Sequence, residues 1–443
     1  MFSKATAPRR RTFNWTGVAL AAMVAVPAHA VERISVASTG AQGNFQSRYP
    51  ALSADGRYVV FESDATTLVA GDSNNATDVF VRDRLAGTTT RVSVTPGGQQ
   101  VAGTSNRPSI AGDGQRITFW SSAALLPDSR TSNCYLLDRG TGTLDILDRE
   151  FGTGIPAGQT CQPPSISVDG RRVAFASSAS RLLPPGQDSN DRADVFVRDL
   201  AAGTTIRVNL GPGGVQADQP SDAVRISAFG SHVVYGSPAG NLVAGDSNGV
   251  RDIFLSDLAG STRRLSVGTG QQQANGASVA NGALNGDGTI TAFSANATSL
   301  PGWGPFVESV LYLRLPDNDI TVPLSLPVAG THEGWAEDAD FSASGRWLVF
   351  WADDDLIGGA ELGGIYVIDL LAETIALVSR RPDGQPANAG GHFAPRISAD
   401  GRSIVWFSNS ALLVAGDTNG TWDVFHADNP LWDDTLFAWD FEP

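Results

Sequence analysis

The chain has 443 residues, a formal net charge of −15, 42% hydrophobic residues and only 17% charged residues. This apolar fraction is large enough for a packed core, so the composition argues against a disordered chain. The negative charge argues against nucleic acid and anionic membrane surfaces as partners. Lys4 is the only lysine, which excludes a Schiff-base lysine and a phosphate-loop lysine from the rest of the chain.

Residues 1–30 have the pattern of an export signal. Lys4 and three arginines precede a short apolar run over 15–27, and Ala28 and Ala30 are typical of a cleavage site. An Arg-Arg-x-Phe motif leaves two routes open, general secretion and twin-arginine export. We therefore expect a periplasmic or secreted protein with a mature charge of −19 and no transmembrane segment.

The remainder of the chain is built from a repeat of about 57 residues. Each repeat has a glycine that we use as its reference position: Gly56, Gly114, Gly170, Gly230, Gly288, Gly345 and Gly401. Five residues later an aromatic residue recurs: Phe61, Phe119, Phe175, Tyr235, Phe293, Phe350 and Trp406. A repeated aromatic residue indicates the same packed position in every unit.

Each repeat predicts four short strands, because turn sequences such as Asp55-Gly56 separate short apolar runs. Seven repeats predict an all-β fold, a seven-bladed β-propeller with four-stranded antiparallel blades. An open β-solenoid is the alternative. Residues 33–36 read as a fourth strand without a blade, and the last repeat stops after its third strand. The N-terminal strand is therefore expected to complete the last blade.

The predicted organisation is a signal peptide over 1–30, a propeller over 31–428 and an aromatic, acidic tail over 429–443. The tail either folds back on the propeller or serves as a recognition peptide.

The segments 53–61 (SADGRYVVF) and 78–83 (DVFVRD) resemble the TolB-like, WD-type propeller repeats of bacterial envelope proteins. The resemblance covers residues 33–428 and implies the fold rather than a function. Seven-bladed oligogalacturonate lyases have a similar general fold and use a histidine-rich manganese site. Only His332 and His392 offer candidates for such a site in this sequence.

Four repeats carry an Asp-x-Asn-x-x-x-Asp loop between the second and third strands. Its oxygen ligands suit Ca²⁺, whereas an Asx turn, in which Asp and Asn bond nearby backbone amides, is the alternative. The candidate calcium ligands are Asp72, Asn74, Asp78, Asp188, Asn190, Asp194, Asp246, Asn248, Asp252, Asp417, Asn419 and Asp423. No cofactor is required in either case.

The segment 331–340 breaks the repeat and joins the fifth and sixth blades. Its paired carboxylates and histidine suit acid–base chemistry, and its tryptophan suits stacking on a sugar or a cation. The candidate catalytic residues are His332, Glu333, Glu337 and His392, and the candidate ligand-binding residues are Trp335, Asp338, Trp303 and Phe393. A solvated acidic loop is the alternative.

Cys134 and Cys161 are the only cysteines, and the propeller places them on one face of neighbouring segments. In an exported protein this favours a disulfide; two buried thiols are the alternative.

Taken together, the sequence favours a monomeric, exported, non-enzymatic propeller that binds a protein or a glycan. The alternative is a carbohydrate-active enzyme, a lyase or hydrolase, that uses the loop between blades five and six.

Overall fold

The computed structural model describes residues 30–278, 282–301, 309–324, 336–353, 356, 363–387 and 390–433. The predicted signal and most of the predicted tail lie outside these residues. Within them, no helix is both long enough and apolar enough to cross a membrane.

Seven four-stranded antiparallel sheets form the seven blades of a β-propeller, which confirms the predicted fold. We number the strands of each blade from the central channel outwards. Blades one and two consist of Ser47–Leu52, Tyr58–Ser63, Asp78–Asp83 and Thr88–Arg91, then Ser105–Ile110, Arg116–Ser121, Asn133–Asp138 and Thr143–Ile146. Blades three and four consist of Ser165–Ile166, Arg172–Ser177, Asp194–Asp199 and Thr204–Arg207, then Asp222–Ile226, His232–Ser237, Asp252–Asp257 and Thr262–Arg264.

Blades five and six consist of Ala283–Leu284, Thr291–Ala295, Val310–Leu315 and Ile320–Pro323, then Ala336–Phe341, Trp347–Ala352, Gly364–Asp369 and Thr374–Leu377. Blade seven consists of His392–Ile397, Ser403–Ser408, Asp423–Asp428 and the N-terminal strand Glu32–Arg33. A short hairpin, Leu210–Gly211 with Val215–Gln216, and two 3₁₀ turns, Pro212–Gly214 and Pro316–Asn318, complete the described elements.

The N-terminal strand completes blade seven, as the missing fourth strand of the last repeat predicts. Arg33 lies opposite Phe425 in the antiparallel pair, and the Ile34 amide donates to the Val424 carbonyl at 2.7 Å. Ile34 is fully buried. The two ends of the propeller chain are thereby joined within one sheet, so that blade seven has four strands like the other blades.

The repeated aromatic residue is buried in every blade and stacks on a second aromatic residue in the third strand. In blade one, Phe61 lies directly opposite Phe80, with ring centroids 5.8 Å apart. The other pairs are Phe119–Tyr135, Phe175–Phe196, Tyr235–Phe254, Phe293–Tyr312, Phe350–Tyr366 and Trp406–Phe425. Such cross-strand pairs explain why the aromatic position recurs.

The turns between first and second strands are joined into a closed ring by backbone hydrogen bonds between neighbouring blades. The Ala54 amide donates to Gly112, and the Asp400 amide closes the circle by donating to Ala54, at 2.9 and 3.3 Å. The other five bonds run from Gly112 to Val168, Val168 to Ala228, Phe229 to Gly286, Gly286 to Ala343 and Ala343 to Ala399. We call this the floor ring, because its residues line one end of the central cavity.

Close contact in the floor ring restricts the size of its side chains. A Cβ atom added at Gly286 would lie 2.6 Å from the carbonyl oxygen of Ala343, which is closer than real Cβ contacts. We therefore predict that Gly286→Ala lowers the free energy of unfolding by about 1–3 kcal/mol, measured by urea denaturation. Gly97→Ala is the control, because its new Cβ would meet only a Thr95 side-chain atom at 3.8 Å. Equal stability of the two variants would contradict the role of the floor ring.

Candidate functional site

The first strands surround a central cavity of about 860 Å³. In blades one, two, four, six and seven the first strand begins earlier than the repeat pattern predicts: blade one starts at Ser47 rather than at Ala51. The alternating apolar pattern is missing from this part of the strand because its pairing is interrupted by a bulge, between Arg48 and Ala51 in blade one. Blades two, four, six and seven have the same interruption.

Each bulge holds a non-glycine residue in the left-handed region of backbone conformation. These residues are Tyr49, Arg107, Ala223, Asp338 and Ala394, with φ between 48° and 55°. This conformation costs energy for residues with a side chain, and bulges commonly redirect side chains near functional sites. Tyr49 and Arg107 line the cavity at this position.

Arginines gather in this cavity although the whole chain is strongly acidic. Arg107, Arg225 and Arg396 line it together with Asp340, and Arg251 pairs with Asp222 at its edge. Arg225 and Arg396 occupy the position five residues before the reference glycine, and Arg107 occupies the position seven before it. The sequence analysis missed these arginines. The signal that could have found them is that their positions vary from repeat to repeat, whereas the residue four before the reference glycine is apolar in every repeat.

The charge of Arg225 is paired with a carboxylate, whereas the charges of Arg107 and Arg396 are not paired with one among the described residues. Arg225 forms an ion pair with Asp340 at 3.5 Å, and the other oxygen of Asp340 accepts the Ile397 amide at 3.0 Å. Among the described residues, Arg396 and Arg107 form no ion pair with a carboxylate. Burial, and then the Arg225 charge, lower the pKa of Arg396 to about 10, so the Arg396 guanidinium carries its charge without full solvation.

Arg107 is exposed to the cavity and lies over an aromatic ring. Its guanidinium carbon is 3.4 Å from the ring centroid of Tyr49. Its backbone amide donates to Glu62 at 2.8 Å, and Glu62 pairs instead with Arg48 at 3.5 Å. Burial raises the pKa of Glu62, and the positive charges of Arg107 and Arg48 oppose that rise. The cavity therefore presents two guanidinium groups, those of Arg107 and Arg396, that form no ion pair with a carboxylate among the described residues.

Four of the residues predicted for the catalytic and ligand-binding sites lie outside the described residues: His332, Glu333, Trp335 and Trp303. The positions of the other four, Glu337, Asp338, His392 and Phe393, are described. His392 is 1% exposed and bonds the Ala387 carbonyl at 3.0 Å, and burial lowers the pKa of His392 to about 4. The neutral His392 side chain is buried at the start of the first strand of blade seven and does not line the cavity.

The remaining predicted ligand residues lie on first strands. Glu337 is half-buried opposite Trp351, and Asp338 occupies a bulge position. Phe393 contacts Trp351, Phe407 and Trp422 through ring centroids 5.0–5.8 Å apart. Part of the predicted tail folds back on the propeller, since Trp432 packs on Trp347 at 4.8 Å.

Each Asp-x-Asn loop holds an arginine between its two carboxylates. Arg91 lies 3.1 Å from Asp72 and 3.3 Å from Asp78. The Asn74 oxygen accepts the Ala76 amide, while its nitrogen donates to Asp78. The equivalent groups are Arg207 with Asp188, Asn190 and Asp194; Arg264 with Asp246, Asn248 and Asp252; and Arg33 with Asp417, Asn419 and Asp423. This geometry favours the Asx-turn alternative, because the cation position is filled by a side chain.

Cys134 and Cys161 form a disulfide with Cα atoms 5.9 Å apart. Asp148 lies against them and could complete a three-residue metal site only with free thiols. One oxygen of Asp148 accepts the Cys134 amide at 3.0 Å, and the other has no hydrogen-bond partner. Burial raises the pKa of Asp148 to about 7.

No protein-family model and no curated protein sequence match the chain. Among solved structures, it is similar to an oligogalacturonate lyase in complex with manganese, with a TM-score of 0.53 and 14% identity over 90% of this chain and 93% of that one. The oligogalacturonate lyase from Vibrio parahaemolyticus matches with a TM-score of 0.50 and 13% identity over 91% and 97%. TolB from Acinetobacter baumannii matches with a TM-score of 0.37 and 16% identity over 76% and 64%.

The fold is a seven-bladed β-propeller. The similarity to these structures concerns the fold alone at such low identities. The preference for a non-enzymatic binding scaffold is nevertheless wrong, because the two structures named above that reach a TM-score of 0.50 are both enzymes. They favour the alternative, a carbohydrate-active enzyme. The segment 331–340 carries recognisable acids and a tryptophan in one stretch of sequence, whereas the cavity arginines are spread over three repeats, which is why the sequence did not indicate them.

The bridging arginines give a stability prediction. Arg207 is 6% exposed between Asp188 and Asp194, so Arg207→Met leaves two buried carboxylates unpaired and lowers the free energy of unfolding by about 3 kcal/mol. Arg263→Met is the control, because its exposed ion pair with Asp317 contributes less than about 1 kcal/mol. Adding Ca²⁺ to the EDTA-treated wild type leaves its melting temperature unchanged. A calcium-dependent rise, or equal stability of both variants, would contradict this arrangement.

Asp148 gives a pH prediction. An unfolded Asp titrates near pH 3.9, whereas the folded group titrates near 7. Between about pH 4 and 7 the folded state therefore binds more protons, and the free energy of unfolding falls as the pH rises. Urea denaturation across this range should show that Asp148→Asn gains stability relative to the wild type as the pH increases. A pH-independent difference between the two proteins would refute the assignment.

Proposed function

We propose that the protein is a carbohydrate-active enzyme of the lyase type that acts on an anionic, uronate-containing glycan bound in the central cavity. The observation that carries the proposal is the pair of arginines, Arg107 and Arg396, that have no carboxylate partner among the described residues of an acidic chain. Arginine binds carboxylates through two parallel hydrogen bonds. The similarity in fold to two oligogalacturonate lyases supports the same class of chemistry.

The cavity residues suit the charge changes of a β-elimination. Pairing the uronate carboxylate with Arg107 or Arg396 acidifies the proton on the adjacent carbon. A base removes that proton, the new electron pair forms a carbon–carbon double bond, and the bond to the leaving sugar oxygen breaks. Fixed positive charges stabilise the negative charge that develops on the carboxylate side of the sugar.

The described cavity residues do not fit a histidine-rich manganese site. His392 is buried and bonded to a backbone carbonyl. Asp340 is already engaged by Arg225 and by the Ile397 amide. We therefore derive no step through a metal.

We also infer that the protein acts in the periplasm or outside the cell. The N-terminal sequence of residues 1–30 has the pattern of an export signal. The Cys134–Cys161 disulfide suits an oxidising compartment.

A lyase screen tests the proposed function. The purified protein is incubated with oligogalacturonates, oligoguluronates, oligoglucuronates and carboxyl-reduced counterparts, and the unsaturated product is followed by ultraviolet absorbance and mass spectrometry. We expect cleavage of at least one uronate and none of its neutral counterpart. Arg107→Gln should reduce kcat/KM by about 10- to 100-fold, the loss expected for a charge-assisted hydrogen bond.

Arg263→Gln is the control, because Arg263 is exposed and pairs with Asp317 outside the cavity lining. Absence of product from every uronate would disprove the proposal. Equal cleavage of neutral and anionic substrates would disprove the role of the arginines.

A further inference from the structure

A continuous row of aromatic rings leads away from Arg107 across blades one and seven. Tyr49, which carries the Arg107 guanidinium on its face, packs edge-on against Phe407 with centroids 5.1 Å apart. Phe407 in turn contacts Phe393 at 5.8 Å and Trp422 at 5.4 Å. Phe393 and Trp422 also contact each other at 5.5 Å. Tyr49, at one end of the row, lines the cavity, and Phe407, at its centre, is buried.

The outer rings of this row are not part of the repeated core. Tyr49, Phe393 and Trp422 are half-buried, whereas Phe407 is 6% exposed and supports them from below. Blade seven is unusual in carrying aromatic residues at these positions. The described residues equivalent to Phe393 are Arg48, Asn106, Gln162, Asp222 and Glu337, and those equivalent to Trp422 are Thr77, Ser132, Ala193, Arg251, Ser309 and Gly363.

The positions of Phe393 and Trp422 in blade seven show at which end of the blade these two rings lie. Phe393 is the second residue of its first strand, and Trp422 directly precedes its third strand. Both therefore lie at the end of the blade opposite the floor ring. Tyr49 lines the cavity, and its contact with Phe407 connects these two rings to the cavity lining.

We propose that Tyr49, Phe393 and Trp422 form a sugar-stacking subsite for the part of the anionic glycan that extends from Arg107. This inference rests on the proposed function. One face of a pyranose ring is a patch of C–H groups, which packs on aromatic rings while the hydroxyl groups at its edge stay in water. The combination of fixed cations in the cavity and half-exposed rings beside it matches the alternating carboxylate and C–H surfaces of a uronate chain.

Chain-length kinetics test the subsite. Steady-state rates are measured on oligogalacturonates, or on the uronate series that the screen identifies, from the disaccharide to the hexasaccharide. Leucine substitutions, Phe393→Leu and Trp422→Leu, keep an apolar side chain but remove the flat ring. We expect KM to rise about three- to tenfold for the longer substrates, the range expected for one lost stacking contact. KM for the shortest cleaved substrate and kcat should stay at the wild-type values.

Phe229→Leu is the matched control, because Phe229 is an aromatic residue with 58% exposure in the floor-ring turn of blade four. Melting temperatures of all three variants exclude a folding defect as the cause. Unchanged KM for the longest substrates in Phe393→Leu and Trp422→Leu would overturn the subsite and leave the proposed function intact. A KM increase that is equal at every length would also overturn it.

Binding measurements keep the inference testable if the wild type cleaves no uronate. Calorimetry and tryptophan fluorescence are then recorded with the hexagalacturonate and its carboxyl-reduced form. Binding of the anionic form that weakens in Trp422→Leu would support the subsite while the lyase function fails. Absence of binding would overturn both.

Discussion

Closure of the ring is the constraint on which the other features of this molecule depend. Seven inter-blade hydrogen bonds join the floor ring, and at the outer edge the N-terminal strand pairs with the last blade. Both contacts are made between segments that are distant in sequence. The Asp400–Ala54 bond and the pairing of the N-terminal strand form only when the first and last blades meet. Unpaired backbone N–H and C=O groups at a sheet edge can form hydrogen bonds with another chain. Pairing of the N-terminal strand with the third strand of blade seven satisfies such groups within one chain.

The same closure creates the cavity and explains its strained lining. Seven first strands converge at the channel, where turns with small residues such as Gly112 and Gly286 approach one another closely. At the other end of the strands, the bulges turn Tyr49 and Arg107 towards the channel at a cost in backbone energy. Such strain is tolerated where surrounding blades hold the backbone in place. The same closure brings arginines without a carboxylate partner among the described residues to the central cavity.

Charged side chains serve two different purposes in this propeller. In the Asp-x-Asn loops, Arg91 and its counterparts are surrounded by carboxylates and fasten the third strand to the loop before it. In the cavity, Arg107 and Arg396 have no such partners among the described residues. Residue type alone does not distinguish these roles. The presence or absence of an ion pair with a carboxylate distinguishes them. Because the cavity contains arginines without such a pair, an anionic ligand is expected to bind there.

The sequence by itself determined the number of blades, their antiparallel strands, the buried aromatic position and the strand that closes the ring. It did so because turn chemistry and apolar periodicity act over a few residues, and because seven copies repeat the same signal. It also drew attention to Phe393 and to the acids Asp338 and Asp340. The tertiary structure alone decided which charges meet. Arg107, Arg225 and Arg396 lie in three different repeats and approach one another only around the channel, and the arginine that fills each Asp-x-Asn loop is contributed by a neighbouring strand. The cavity contacts depend on the curvature of the closed ring. The loop contacts depend on strand pairing within a blade. No local pattern of residues records either of them.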